Sequence, residues 1–263
     1  MKRTEQLARL LEEIDRRAAY IRERRPLTPG EVKELEDYYR IGTTYSSNAL
    51  EGNGLTLTET KVLLEDGITA GGKPIRDCWE AIGHGRAYDY MLTLARQKGA
   101  VTGEMICRLH QLFYSGIDPD AAGKYRQDQV FITGTTYVPP APEKVPALMA
   151  AFEGELEEKR GVLHPVELAA YAHRRLVDIH PFRDGNGRTA RLLMNLLLLR
   201  EGYCIVTIPP VLRQEYIDAL RQAQRERAPS DDAFFRLIAE CEIEAQRDYC
   251  RMFRIEIPKG FLS

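Results

Sequence analysis

This 263-residue sequence has little of several things, and each shortage closes a class of function. It has no surplus of either charge: 37 Lys and Arg stand against 39 Asp and Glu, a formal net charge of −2. Nothing basic offers itself to nucleic-acid phosphates, so no nucleic-acid partner is expected. Cysteine is sparse and unpatterned. Cys78, Cys107, Cys204, Cys241 and Cys250 form no CxxC pair, and an odd, scattered set fits reduced thiols better than a disulfide framework or a zinc site. Long apolar runs are missing too. The longest, Leu192 to Leu199, contains Asn195 and is far too short to cross a bilayer. Met1 to Arg25 mixes charges and lacks the apolar stretch of a signal peptide. These shortages predict a soluble, cytoplasmic protein with no membrane partner. The remaining composition, 44% hydrophobic and 29% charged, is that of an ordinary globular chain with a real core, in one large domain or two smaller ones.

What is present is mostly helical patterning. Leu7, Leu10, Leu11, Ile14, Ala18 and Ile21 recur at helical spacing over Gln6 to Arg24, a stretch that Pro26 should end. Thr28-Pro29-Gly30-Glu31 and Thr56…Glu59 have the form of capping boxes opening two further helices, the second stopping at Gly67. Long helices are expected over Arg76 to Gln97, Thr102 to Tyr114, Lys144 to Arg160 and from His164-Pro165 onward, with Glu167 completing a cap. Two more should fill Arg213 to Arg225 and Asp231 to Phe253, the latter capped by Ser230. One segment differs. Gln129 to Pro140 is β-branched and aromatic around Gly134, a signal for a short hairpin closed by two prolines. The expected architecture is all-α with one small β-hairpin. Its expected divisions are an N-terminal helical region at 1–95, a core at 96–255 and a tail at 256–263.

The chemistry concentrates in His180-Pro-Phe-Arg-Asp-Gly-Asn-Gly-Arg-Thr-Ala-Arg191. A Gly-rich turn feeding a helix N-terminus points backbone N–H groups outward and makes an anion site. Arg188 and Arg191, three apart, project from one helix face. Asp184 is a hard oxygen ligand suited to Mg²⁺ on a phosphate chain. Two look-alikes fail. Gly67 to Lys73 matches GxxxxGK, but Pro74 replaces the required Ser or Thr and a helix precedes it. Asp184-Gly-Asn-Gly hints at a calcium loop, but Asn195 stands where the twelfth, acidic ligand belongs. Glu51-Gly-Asn-Gly54 echoes Asp184-Gly-Asn-Gly187, without matching flanks to suggest duplication.

The His180–Arg191 stretch resembles the HxFx(D/E)GNGRxxR motif of Fic-domain proteins at every fixed position. The similarity extends over residues 40 to 250. Gly123 to Arg126, Val130 to Tyr137, Pro139-Pro140 and Val145 resemble the Fic flap region. Ser47-Asn-Ala-Leu-Glu-Gly-Asn53 resembles the inhibitory (S/T)xxxE(G/N) motif of members whose inhibitory helix is N-terminal. The resemblance implies a Fic-type helical core and transfer of AMP from ATP to a hydroxyl of a target protein. In that scheme His180 is the base and Asp184 binds Mg²⁺. Gly185 to Gly187 cradle the phosphates with the Asn186 side chain near the α-phosphate, Arg188 meets the β-phosphate and Arg191 the γ-phosphate. Phe182 anchors the loop in the core. The flap residues Thr133, Gly134, Thr135, Thr136 and Tyr137 touch the nucleotide, and an extended target segment pairs with Phe131 to Tyr137. Tyr216 and Gln224 fall where relatives contact adenosine, with Gln224 replacing an expected Asn. Ser47 and Glu51 are inhibitory: Glu51 pairs with Arg191 and displaces the γ-phosphate. In some relatives the same glutamate supports removal of AMP, so de-AMPylation stays open. Many relatives are homodimers. Phosphate or phosphocholine transfer suits the Gly-Asn-Gly and Arg191 pattern less well than AMP transfer. From another class, an ATP-sensing interaction module without transfer would have lacked His180 or Asp184. A winged-helix regulator is not expected, because only about ten residues follow Phe253.

Overall fold

The computed structural model describes residues 3–24, 27–69, 71–133, 135–225, 227 and 229–258. Pro26 and Gly134, to which the sequence assigned a helix stop and a nucleotide contact, lie outside them. Ten α-helices occur among the described residues: α1 Glu5–Arg24, α2 Pro29–Leu50, α3 Leu57–Asp66, α4 Ile75–Ala95, α5 Gly103–Tyr114, α6 Val145–Lys159, α7 Pro165–Ile179, α8 Asn186–Arg200, α9 Arg213–Ala223 and α10 Asp232–Met252. No helix among them is long and apolar enough to cross a membrane.

Local chemistry sets several of the helix starts. The Thr28 hydroxyl accepts from the Glu31 N–H (3.3 Å) while the Glu31 carboxylate accepts from the Thr28 N–H (2.9 Å), and Thr56 with Glu59 repeats the arrangement. Each such box satisfies two otherwise orphaned donors. At α7 the cap is His164, whose Nδ1 accepts from the Val166 N–H (3.1 Å), with Glu167 returning to the His164 N–H (3.0 Å). At α10 the cap residue is Asp231, whose side chain makes no capping bond, and the expected cap Ser230 meets the Asp232 N–H only at 3.4 Å.

Packing converges on α8. Every residue from Arg188 to Leu198 is buried. The helix packs against α7, α4 and α5, with α2 across its first turns. A helix buried on every side is central, and its polar members Asn186, Arg188, Thr189, Arg191 and Asn195 are buried with the rest. The first and last long helices close the structure: Leu7, Leu11 and Ile14 of α1 share one core with Phe234, Phe235 and Ile238 of α10.

The expected hairpin does not form among the described residues, which contain no strand. The described residues of 129–140 form an irregular segment held by side chains. The Gln129 amide donates to the carbonyls of Val130 (3.1 Å) and Pro139 (3.0 Å), and Tyr137 Oη donates to the Asp178 carbonyl (2.8 Å). Pro139 and Pro140 offer no N–H to a ladder, and Phe131, 77% exposed, has no sheet to pack on.

Candidate active site

The site lies where α7 ends and α8 begins. Residues 180–185 make the turn, and two side chains lock it. Phe182 is fully buried and stacks on His110 of α5, with ring centroids 3.8 Å apart and planes 3° off parallel. Asn186 bonds twice to the Phe182 backbone, accepting from its N–H and donating to its carbonyl, each at 2.9 Å. The Asn186 amide was expected near a phosphate; the structure uses both of its polar atoms to hold the loop. Gly185, with φ 76°, could not carry a side chain: a Cβ there would come within 2.7 Å of the Phe113 ring.

His180 caps α7 in a left-handed conformation (φ 50°), uncommon for a non-glycine residue. Arg126 sustains it by donating from Nε to the His180 carbonyl (2.8 Å), from Nη1 to the Asp128 carbonyl (3.0 Å) and from Nη2 to the Pro140 carbonyl. The His180 Nδ1 lies 3.2 Å from the Val177 carbonyl. A carbonyl only accepts, so this contact assigns the ring proton to Nδ1 and leaves the Nε2 lone pair free. Burial lowers the pKa of this imidazole below the ordinary histidine value, the bond to Val177 opposes that, and the Arg126 charge adds to the lowering.

Asp184, Arg188 and Arg191 are each met by residues of α4, of α2 or of its C-terminal cap. Asp184, with its side chain 41% exposed, accepts from Arg76 of α4 at 2.7 Å and lies 3.6 Å from Arg188. Arg188 is buried over the Phe113 ring and lies 3.3 Å from Glu80 and 3.4 Å from the Asn48 side-chain oxygen. Arg191 donates to the Ser47 hydroxyl (2.8 Å), the Ser47 carbonyl (2.9 Å), Glu51 (2.7 Å) and the Tyr216 hydroxyl (3.1 Å). Burial works against the Glu51 charge, but Arg191, then Arg188, outweigh it and hold the carboxyl below its ordinary value. Glu51 also lies against Gly187, within the space a side chain there would fill. Two buried donors here have no partner, Asn48 Nδ2 and Arg188 Nε. Unpaired buried donors beside a helix N-terminus suit an anion.

Other expected contacts separate. Tyr216 is buried against Arg191 and the His173 ring, whereas Gln224, at the end of α9, donates to Asp178 (2.9 Å) and faces the segment carrying Thr135, Thr136 and Tyr137. Thr133 stands exposed on that segment. Arg76, Glu80, His110 and His173 were not singled out from sequence, and Asn48 and Arg126 fell within segments of the family resemblance without a role of their own. Arg76 and Glu80 look there like a routine i,i+4 surface pair. No group of three or more metal-ligating side chains occurs among the described residues, so any cation would rest on Asp184 plus its own oxygen-rich ligands.

Comparison with known proteins finds the Fic/DOC family model over residues 100–198. Protein adenylyltransferase Fic of Drosophila persimilis is 42% identical over 198 residues, covering 75% of this chain and 38% of the relative. The protein of that name in Culex quinquefasciatus is 38% identical, covering 80% of this chain and 41% of its own length. The chain thus spans about two fifths of these relatives' length. Among solved structures, a Fic-domain-containing signaling protein from Bacteroides thetaiotaomicron superposes with a TM-score of 0.83 at 30% identity, covering 94% of this chain and all of the other. Fic-1 from C. elegans gives 0.84 at 30% identity over 95% of this chain and 74% of its own.

Proposed function

The chain belongs to the Fic/DOC family, and from that premise we propose that it is a protein adenylyltransferase, an enzyme moving AMP from ATP to a hydroxyl side chain of a target protein and held off by Glu51. One observation carries the reading. His180 has its Nδ1 proton tied to Val177 and its Nε2 open, on the loop that bears Asp184, Arg188 and Arg191.

His180 Nε2 takes the proton of a Ser, Thr or Tyr hydroxyl. The hydroxyl oxygen bonds to the α-phosphorus, the bond from that phosphorus to the bridging oxygen breaks, and pyrophosphate leaves. A positioned base contributes on the order of 10²–10⁴-fold. The backbone N–H groups of Asn186 and Gly187 face the phosphates at the positive end of α8, while that of Gly185 holds Asp184; Arg188 takes the β-phosphate and Arg191 the γ-phosphate. The donor set suits Mg²⁺: Asp184 offers a partly exposed carboxylate, and Mg²⁺ commonly takes one or two carboxylates plus phosphate oxygens and water. When bound there, it supplies charge neutralisation at the phosphates. Thr135 to Tyr137 and Gln224 border the nucleoside side, and an extended target segment docks along Phe131 to Tyr137. Residues 1–95 act as the inhibitory region on a 96–255 core, with Ser47 and Glu51 engaging Arg191. Removal of AMP from the target is a second activity, favoured by the charged Glu51 carboxylate against Gly187. The protein works in the cytoplasm, and homodimerisation is checked by light scattering.

The test is transfer from ATP labelled on the α-phosphate, run beside γ-labelled ATP. Label from the α-position only, gained in Glu51→Gly and lost in Glu51→Gly/His180→Ala, is expected. Label from the γ-position would make the protein a kinase. ATP binding with no label, even with candidate targets added, would make it a sensing module.

A further inference from the structure

Arg191 has four hydrogen-bond partners among the described residues, and they divide by element. The Ser47 hydroxyl, the Ser47 carbonyl and Glu51 belong to α2 and its C-terminal cap. The Tyr216 hydroxyl comes from α9. Of these, Tyr216 alone is independent of the inhibitory helix.

The direction of the Tyr216 contact is fixed by chemistry. A guanidinium only donates, so the Tyr216 oxygen accepts from Arg191 Nη1 at 3.1 Å. The same hydroxyl is hydrogen-bonded to His173 Nε2, also at 3.1 Å, while His173 Nδ1 is buried without a partner. His173 is fully buried, and burial keeps it neutral by pushing its pKa well below the ordinary value. Phe234 packs on both rings, at centroid distances of 5.0 Å from His173 and 6.1 Å from Tyr216. The result is a hydrogen-bonded chain, Arg191 to Tyr216 to His173, running from the site into the core.

We propose that Tyr216, oriented by His173, is the positioning residue that keeps Arg191 directed at the γ-phosphate once Glu51 lets go, and that it thereby sets the preference for ATP over ADP. This rests on the reading above in which Arg191 receives the γ-phosphate. Without Tyr216 one guanidinium arm loses its partner from outside the inhibitory region among the described residues, and the side chain is no longer held in place for a third phosphate.

The test is calorimetric titration of the full chain with Mg-ATP and Mg-ADP, in a Glu51→Gly/His180→Ala background so that no transfer occurs during the measurement. This background should bind ATP about tenfold or more tighter than ADP, the effect of a charged hydrogen-bond set on one extra phosphate. Adding Tyr216→Phe should bring the ATP:ADP ratio to within about threefold while ADP affinity stays level. His173→Phe should act in the same direction, and His173→Gln, which keeps an acceptor, should restore part of the ratio. A ratio that survives both Tyr216→Phe and His173→Phe overturns the proposal. So does an equal loss for both nucleotides, which would make Tyr216 a packing residue. Equal binding of ATP and ADP by the background itself would remove the γ-phosphate reading of Arg191 first, and the two failures are thereby told apart.

Discussion

The chain carries the same four-residue form twice, an acid followed by Gly-Asn-Gly, at 51–54 and at 184–187. The first follows the C-terminus of α2 and the second leads into the N-terminus of α8. Both asparagines build the turn. Asn53 accepts from the Leu55 N–H (3.0 Å) and donates to the Asp77 carbonyl (3.1 Å) and to Glu80 (2.9 Å), while Asn186 closes on Phe182. The acids diverge because the helix ends differ. Glu51 sits at the negative end of its helix, where a carboxylate gains nothing from the dipole. It depends on Arg191, a residue of another helix. Asp184 sits at the positive end of α8, accepts from the Gly185 N–H (2.6 Å) and stays partly open to solvent. One turn pairs its acid with the buried Arg191; the other pairs its acid with Arg76, an exposed arginine of α4. A short motif read without its helix end would not distinguish the two.

The largest test of that contrast exchanges the fates of the two acids. In a Glu51→Gly background, Asp184→Asn should lower AMP transfer by about 100-fold or more, in the range typical for losing one group that stabilises developing charge. Glu51→Gly alone should raise transfer by about 30–150-fold if the pair with Arg191 is worth roughly 2–3 kcal/mol. Equal signs for the two acids would erase the distinction. The asparagines come next. Asn186→Ala should cost about 2–3 kcal/mol of stability in denaturant titrations, because two buried backbone groups of Phe182 lose their partners. Asn53→Ala should cost about 1 kcal/mol and raise transfer, since the Glu51 turn loses its tie to Glu80.

The smallest effect is in pH. Glu51 is held below its ordinary value, so its contact stabilises fully above the unfolded carboxyl pKa and is lost as pH falls through the lower folded value. The melting-temperature difference between the native chain and Glu51→Gln should therefore be level from pH 8 to about 5 and close below about pH 4.

Much of this was legible in residues close in sequence. The capping boxes at Thr28 and Thr56 and the burial of Phe182 follow from local spacing, and the approach of Glu51 to Arg191 agrees with what the family resemblance implied. Contacts across long separations were not legible. Arg76 reaches Asp184 across 108 positions, and nothing in a helix-surface arginine announces which carboxylate it will meet. The family resemblance placed Tyr216 near adenosine; the structure puts its hydroxyl on Arg191. The flap segment carried strand-forming residues, yet β propensity needs a partner strand, and the two prolines with the Gln129 and Arg126 side chains stabilise an irregular path instead.

His110 gives the molecule a property beyond holding Phe182. Its Nδ1 accepts from the Gly123 N–H (2.9 Å), so its Nε2 carries the proton and donates to the Asp184 carbonyl (3.0 Å). Burial pushes its pKa down to about 4. The bridge between the start of the flap segment and the catalytic loop is therefore indifferent to acidity across the range in which most histidines titrate. The His110 bridge would then stay in place across the range in which an ordinary histidine titrates, so a loss of transfer there would not come from this link.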